Sequence, residues 1–254
     1  CEARMILAID AGNSRVKWGW HDGKDWTSIA TVSLIEFAAS SDHVNPFSVT
    51  HADPERIIIS NVAGEGAHHL LVNWTSVFEV EPLWLRAEAE RGGVRNLYER
   101  PEQLGPDRWA ALIAARALHP SGPALVVNAG TATTVDMLSG DGRFLGGSIL
   151  PGVELMRFVL HEHTGRLPLD NGEYSDTPRR TSDAIESGCR HAQAGAVERM
   201  YRVLRDIELN PLCIVAGGAG RGLVDQLSMP RRYVENLVLD GLVHVAISER
   251  AVAK

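Results

Sequence analysis

The chain has 254 residues, 44% of them hydrophobic and 22% charged, with 25 basic against 32 acidic side chains and a net charge of −7. That balance suits a globular protein with its own core and argues against bulk binding to nucleic acid or to an anionic membrane surface. No run approaches the ~20 apolar residues of a membrane-spanning helix, and three widely spaced cysteines (Cys1, Cys189 and Cys213) fit a reducing, cytoplasmic setting.

In chain order, Ile6–Ile9 is an apolar run of strand length. It meets Asp10-Ala11-Gly12-Asn13-Ser14, after which Val16 and Trp18 alternate with polar neighbours, giving strand, tight turn, strand. Asp22-Gly23-Lys24 signals a hairpin turn within Trp18–Thr31. A helix over Ser33–Ser41, a buried strand at Arg56–Ser60, a turn at Asn61–Gly64, a weak helix over His68–Val77 and a strand at Trp84–Arg86 follow. Ala87–Pro106 is rich in loop residues, and Asp107–Leu118, full of alanine and leucine, is a strong helix stopped by Pro120 and Gly122.

Leu125–Asp136 then repeats the opening pattern, with Asn128-Ala129-Gly130-Thr131 aligned on Asp10-Ala11-Gly12-Asn13. Asp141-Gly142 turns the chain into a strand at Phe144–Leu150, and Pro151-Gly152 opens a helix to about His163. A polar loop, Gly165–Arg180, precedes a long helix, Thr181–Ile207. Its spacing predicts a buried stripe of Ile185, Cys189, Ala192, Ala196, Met200, Val203 and Ile207. A strand at Leu212–Ala216 runs into Gly217-Gly218-Ala219-Gly220, and Leu239–Ala251 is the last helix. The order predicts two similar α/β domains, 5–120 and 121–254, one hairpin opening each, with a nucleotide in the cleft between them.

The two turns suit phosphate. Glycine permits close approach and positive φ, and successive backbone N–H groups form an anion-binding nest. A carboxylate such as Asp10 can hold the Mg²⁺ that accompanies a nucleotide. Neither turn is a Walker A loop or a Rossmann turn, because the lysine and the further glycines are missing. Two ordinary hairpins are the plainer alternative, and their duplication weakens it. Asp107, in Gly105-Pro106-Asp107-Arg108, is placed to cap its helix or to accept a hydroxyl proton as a general base, and the two roles are compatible. His161 and His163, two apart on a helix, cannot share a face for a metal.

Asp10-x-Gly12-Asn13-Ser14 and Gly130-Thr131-Ala132-Thr133-Thr134 resemble the phosphate motifs of the acetate and sugar kinase/Hsp70/actin superfamily, and in detail they resemble type III pantothenate kinases. Gly105-x-Asp107-Arg108, Asn96-x-Tyr98, Pro101-x-x-Leu104-Gly105, Leu145–Gly152 and Thr164–Pro168 are similar to further segments of that family. The resemblance implies two ribonuclease H-like (actin-like ATPase) domains and ATP-dependent phosphorylation of pantothenate to 4′-phosphopantothenate, the first step of coenzyme A synthesis. It implies that Asp10, Ala11, Gly12, Asn13, Ser14, Arg15, Val16, Lys17 and Thr131 hold ATP phosphates, and that Gly217-Gly218 lies on the adenine side. Asp107 would be the base, Gly105, Pro106 and Arg108 would line the substrate site, and Tyr98 would close it, with Arg108 paired to the pantothenate carboxylate.

The resemblance also implies a homodimer, with Thr181 reaching substrate from the partner; Thr181 could equally cap the long helix. It implies Mg²⁺ with ATP and a monovalent cation, K⁺ or NH₄⁺. At Asn128 the family pattern has aspartate. An amide keeps an oxygen ligand without the charge, so cation activation is expected to survive with weaker affinity; the alternative is that Asn128 only braces its own turn. The family includes members named Bvg accessory factors, so a non-catalytic nucleotide-binding regulator is the competing function. A sugar kinase is less favoured, since neither a longer chain nor a Cys-rich zinc element is present.

Overall fold

The computed structural model describes residues 5–39, 46–47, 53–165 and 167–252. Ser40 and Ser41 of the expected first helix, Arg166 of the polar loop, and Cys1 lie outside them. The chain divides into two compact units, one running to Leu118 and resuming at Leu237, the other spanning His119–Asn236.

The first unit opens with β1 (Ile6–Ala11), β2 (Arg15–His21) and β3 (Trp26–Ser33), then α1 (Leu34–Ala39), β4 (Arg56–Asn61), α2 (Glu65–Thr75) and β5 (Leu83–Trp84). Its sheet has the order β3-β2-β1-β4-β5, with β1 antiparallel to β2 and parallel to β4. Strand alternation sends Leu7, Ile9 and Ala11 to one face, where they pack with Val16, Trp18, Ile57, Ile59, Leu71 and Trp74. A short hairpin, β6 (Glu90–Arg91) and β7 (Val94–Asn96), precedes a turn of 3₁₀ helix at Pro101–Gln103 and α3 (Pro106–Leu118). Residues 108–115 of α3 are all buried, and apart from Arg108 all are apolar. The expected Asp22-Gly23-Lys24 turn is present: Gly23 has φ 95°, and Asp22 Oδ1 accepts the Lys24 and Asp25 amides.

The second unit contains β8 (Ala124–Ala129), β9 (Ala132–Leu138), β10 (Arg143–Pro151), α4 (Val153–His163), α5 (Thr181–Ile207), β11 (Leu212–Ala216), α6 (Gly220–Val224) and β12 (Arg231–Tyr233). These strands run β12-β11-β8-β9-β10, and β8 is antiparallel to β9 and parallel to β11, repeating the pairing around β1. The last helix, α7 (Leu237–Val252), belongs to the first unit.

Two expectations are corrected. The domain break falls at Leu118/His119, close to the expected 120/121, but α7 does not stay with the second domain. It packs on α3, β1 and β4 and is tied there by Trp26 Nε1 donating to Asp240 Oδ1 at 2.9 Å and Arg56 Nη1 donating to the Ala246 carbonyl at 2.8 Å. The buried stripe of α5 is also rotated. It comprises Glu186, Ser187, Cys189, Gln193, Ala194, Val197, Tyr201 and Leu204, while Val203 and Ile207 are exposed. Apolarity misled because Glu186 is buried as an ion-pair partner, of Arg157 at 3.4 Å and of Arg190 at 2.6 Å.

Candidate active site

In the first unit, β1 ends at Ala11 and β2 begins at Arg15, leaving Gly12, Asn13 and Ser14 as the turn. The Gly12 amide donates to the Arg15 carbonyl at 2.9 Å, and the Ser14 carbonyl accepts from Leu34 at 2.9 Å. Asn13, Ser14 and Arg15 are exposed, as a ligand-facing turn requires. Asp10 stands beside Lys17 on β2 and Ser60 on β4, in register with both. By alternation it points away from Ile9 and Ala11. Its Oδ1 is buried and accepts no hydrogen bond. Burial first, and then the Asp107 carboxylate, push the Asp10 carboxyl up to about 7, against the opposing pull of the Ser60 hydroxyl and the Lys17 ammonium.

Asp107 lies in the first turn of α3, one residue after Pro106. The expected cap is therefore corrected: the helix starts at Pro106, and Gly105 precedes it, its carbonyl accepting the Trp109 amide at 2.9 Å. Proline at the first helical position fits, because its missing N–H is one the helix would not use. The Asp107 carboxyl is raised by burial, while the amides of Arg108 and Asp107 and the Arg108 charge hold it down. A methyl group at Gly105 would stand 2.6 Å from Asp107 Oδ1, so glycine leaves room for that carboxylate. Arg108 is 5% exposed; its Nη1 donates to Tyr98 Oη at 3.3 Å, and the guanidinium lies 5.8 Å from the ring centre.

Asn96 organises this loop. Its Nδ2 donates to the Pro101 carbonyl at 3.1 Å, and its Oδ1 accepts the Tyr98 amide at 3.1 Å. Tyr98, Gly105, Pro106, Asp107 and Arg108 thus come together with Asp10 in one unit. The part played by Asn96 was signalled in the sequence only by Asn-x-Tyr.

In the second unit the turn is one residue shorter, Gly130-Thr131, with the Gly130 amide donating to the Ala132 carbonyl at 3.1 Å. Neither Gly12 nor Gly130 takes a positive φ, so of the two reasons expected for glycine there, that one does not apply. A left-handed glycine nearby is Gly217 (φ 90°), whose turn sits against the Ala129 carbonyl and where a methyl would stand 2.7 Å from Asn128 Oδ1. Thr131 and Gly130 are exposed. The Gly152 amide donates to the Thr131 carbonyl at 2.8 Å.

Thr181 is the first residue of α5, and its cap position is held by Arg180, so the capping alternative is not realised. Thr181 borders an apolar hollow of about 560 Å³ with Pro151, Met156, Leu160, Ile185 and Cys189 among its walls. Phe158 and Val159 of α4 are also exposed.

The residues present suit Mg²⁺. An orphaned carboxylate oxygen, in a carboxyl raised by burial and by a second carboxylate, is the environment a divalent cation relieves. Among the described residues no three His, Cys, Asp or Glu side chains converge as a cage. Mg²⁺ binding through one carboxylate, waters and substrate phosphates needs none.

A family model for type III pantothenate kinase matches residues 6–203. A type III pantothenate kinase of Aromatoleum aromaticum is 47% identical over 247 residues, covering 97% of this chain and 100% of that protein. The crystal structure of a Baf family protein from Campylobacter jejuni superposes with a TM-score of 0.60 at 22% identity, covering 96% and 99% of the two chains. The activator of the 2-hydroxyisocaproyl-CoA dehydratase from Clostridium difficile, solved with bound ADPNP, gives 0.51 at 12% identity, covering 98% and 95%. These two likenesses concern the fold, the mixed α/β actin-like ATPase architecture.

Proposed function

The chain belongs to the type III pantothenate kinase family, and from that premise we propose how its residues divide the work of phosphorylating pantothenate with ATP. The observation that carries the reading is the approach of two carboxylates with different surroundings, Asp10 and Asp107, near enough for the charge of Asp107 to raise the Asp10 carboxyl. Asp10, with its orphaned oxygen, would hold Mg²⁺, which neutralises phosphate charge when bound. Asp107 accepts the proton of the pantothenate 4′-hydroxyl as that oxygen attacks the γ-phosphorus of ATP, with ADP as the leaving group. Its raised pKa makes it a stronger proton acceptor than an exposed aspartate.

The Gly12–Ser14 turn and the Gly130-Thr131 turn bind phosphate through backbone amides and the exposed side chains of Asn13, Ser14 and Thr131. Lys17, in register with Asp10, adds positive charge. Arg108 pairs the pantothenate carboxylate, and Tyr98 closes over it, a placement supported by their mutual contact. Asn128 contributes an oxygen toward K⁺ or NH₄⁺. A homodimer, with Thr181 offered to the partner, is supported by the apolar hollow and by exposed Phe158 on α4, the helix that lends Met156 and Leu160 to its wall. A cytoplasmic setting is supported by the free, buried thiols of Cys189 and Cys213.

The test is ADP release by purified protein with Mg²⁺ and K⁺, comparing pantothenate with a panel of sugars. Pantothenate alone is expected to stimulate release. Stimulation by a sugar, or by nothing, would overturn the reading, the latter in favour of the nucleotide-binding regulator.

A further inference from the structure

Gln193 on α5 is 2% exposed, among apolar neighbours that include Ala194 and Val197. Its Nε2 donates to the Pro151 carbonyl at 2.5 Å, and its Oε1 is buried without any partner. An amide that uses one of its four hydrogen-bonding sites is a costly filler where leucine or methionine would pack. Its one bond therefore points to a role beyond packing.

That bond falls on one end of a single peptide unit. The Pro151 carbonyl and the Gly152 N–H belong to the same planar group, so they turn together. At the other end the Gly152 N–H donates to the Thr131 carbonyl at 2.8 Å. Pro151 also stands opposite Ala132, the residue after Thr131, in the β9–β10 ladder. Fixing the carbonyl end therefore fixes the peptide plane, and through it the backbone of the Gly130-Thr131 turn.

We propose that Gln193 is a positioning residue for the nucleotide phosphate, holding the Pro151–Gly152 peptide so that Thr131 is presented in one orientation. This rests on the reading of Thr131 as a phosphate-binding residue. Gln193→Met keeps the volume and removes the donor. Its KM for ATP should rise about fivefold, the usual worth of one neutral hydrogen bond, with kcat and the KM for pantothenate little changed. The Gly152 amide should exchange with solvent faster by a similar factor. Gly152→Ala, whose methyl would meet the Gly130 carbonyl and lie 2.8 Å from that of Thr131, displaces the same turn directly and should raise the ATP KM further.

A lowered melting temperature with an unchanged ATP KM would reduce Gln193 to a structural residue and overturn the proposal. Thr131→Ala separates the two ways of failing. If it raises the ATP KM while Gln193→Met does not, the positioning role alone is wrong. If Gln193→Met frees the Gly152 amide but neither variant moves the KM, the phosphate reading of Thr131 fails and takes the proposal with it. Should Gln193→Met not fold, an unchanged ATP KM in Gly152→Ala would itself overturn the coupling.

Discussion

The hairpins that open the two units share a plan and differ in what fills it. Each central strand, β1 or β8, is antiparallel to the next strand and parallel to a later one. In the first, the strand delivers Asp10, an orphaned carboxyl raised to about 7, before a three-residue turn. In the second it delivers neutral Asn128 before a two-residue turn, braced by close glycine contacts from Gly152 and Gly217. On the proposed reading, one scaffold meets phosphate in two ways: both turns offer backbone amides, the first adding a carboxylate and its cation, the second a hydroxyl.

The sharpest way to break this division is to remove the charge beside the first hairpin. Asp107→Asn should lower kcat by ~10²–10⁴, the usual worth of a general base. Its melting temperature should hold or rise, because a carboxyl raised by burial disfavours the folded state when ionised. Near-normal turnover would return Asp107 to a purely local role at the helix start.

Asp10 gives the next largest effect, read in stability. Its folded pKa, about 7, exceeds the 3.8 of an ordinary aspartate. The folded state therefore binds the proton more tightly, and this contribution is complete below pH ~4 and lost as pH rises to ~7. In metal-free protein the loss has an upper bound of about 4 kcal/mol. Asp10→Asn should flatten that part of the pH–stability curve, and Mg²⁺ should stabilise only the wild-type protein at pH 7 and above. Identical curves for the two proteins would show that Asp10 does not carry the strain.

Gly105→Ala should lower kcat about tenfold with the helix intact, by displacing the Asp107 carboxylate that a methyl would meet at 2.6 Å. An unchanged kcat would show that the carboxylate has room to yield. The smallest effect belongs to the second hairpin. Asn128→Asp should move half-activation by K⁺ to lower concentration, by roughly a fewfold, in a KCl titration at constant ionic strength. No difference between the two proteins would leave Asn128 with a role in its own turn alone.

Much of this was legible in the sequence because it is local. Both hairpins, the alanine-rich α3, and the loop holding Tyr98 and Asp107 follow from residues near one another in the chain. What escaped was set by partners far away. Ser60 joins Asp10 only through the parallel pairing of β1 with β4, some fifty residues apart. The place of α7 depends on Asp240 meeting Trp26 and on Ala246 meeting Arg56. The face of α5 was misread because a buried Glu186 looks like a surface residue until Arg157 and Arg190 are in view. Gly12 and Gly130 were identified correctly as turn residues, but positive φ, one of the two reasons offered for glycine there, applies at neither.

The contrast between the hairpins is tested most directly by the affinity for ATP, measured with and without Mg²⁺ by calorimetry, in Asp10→Asn and Thr131→Ala. If the first hairpin acts through a cation and the second through its own backbone and hydroxyl, Asp10→Asn abolishes the Mg²⁺ enhancement. Thr131→Ala then weakens ATP by the same factor in both conditions. An Asp10→Asn protein that keeps the full Mg²⁺ enhancement would contradict this division of labour.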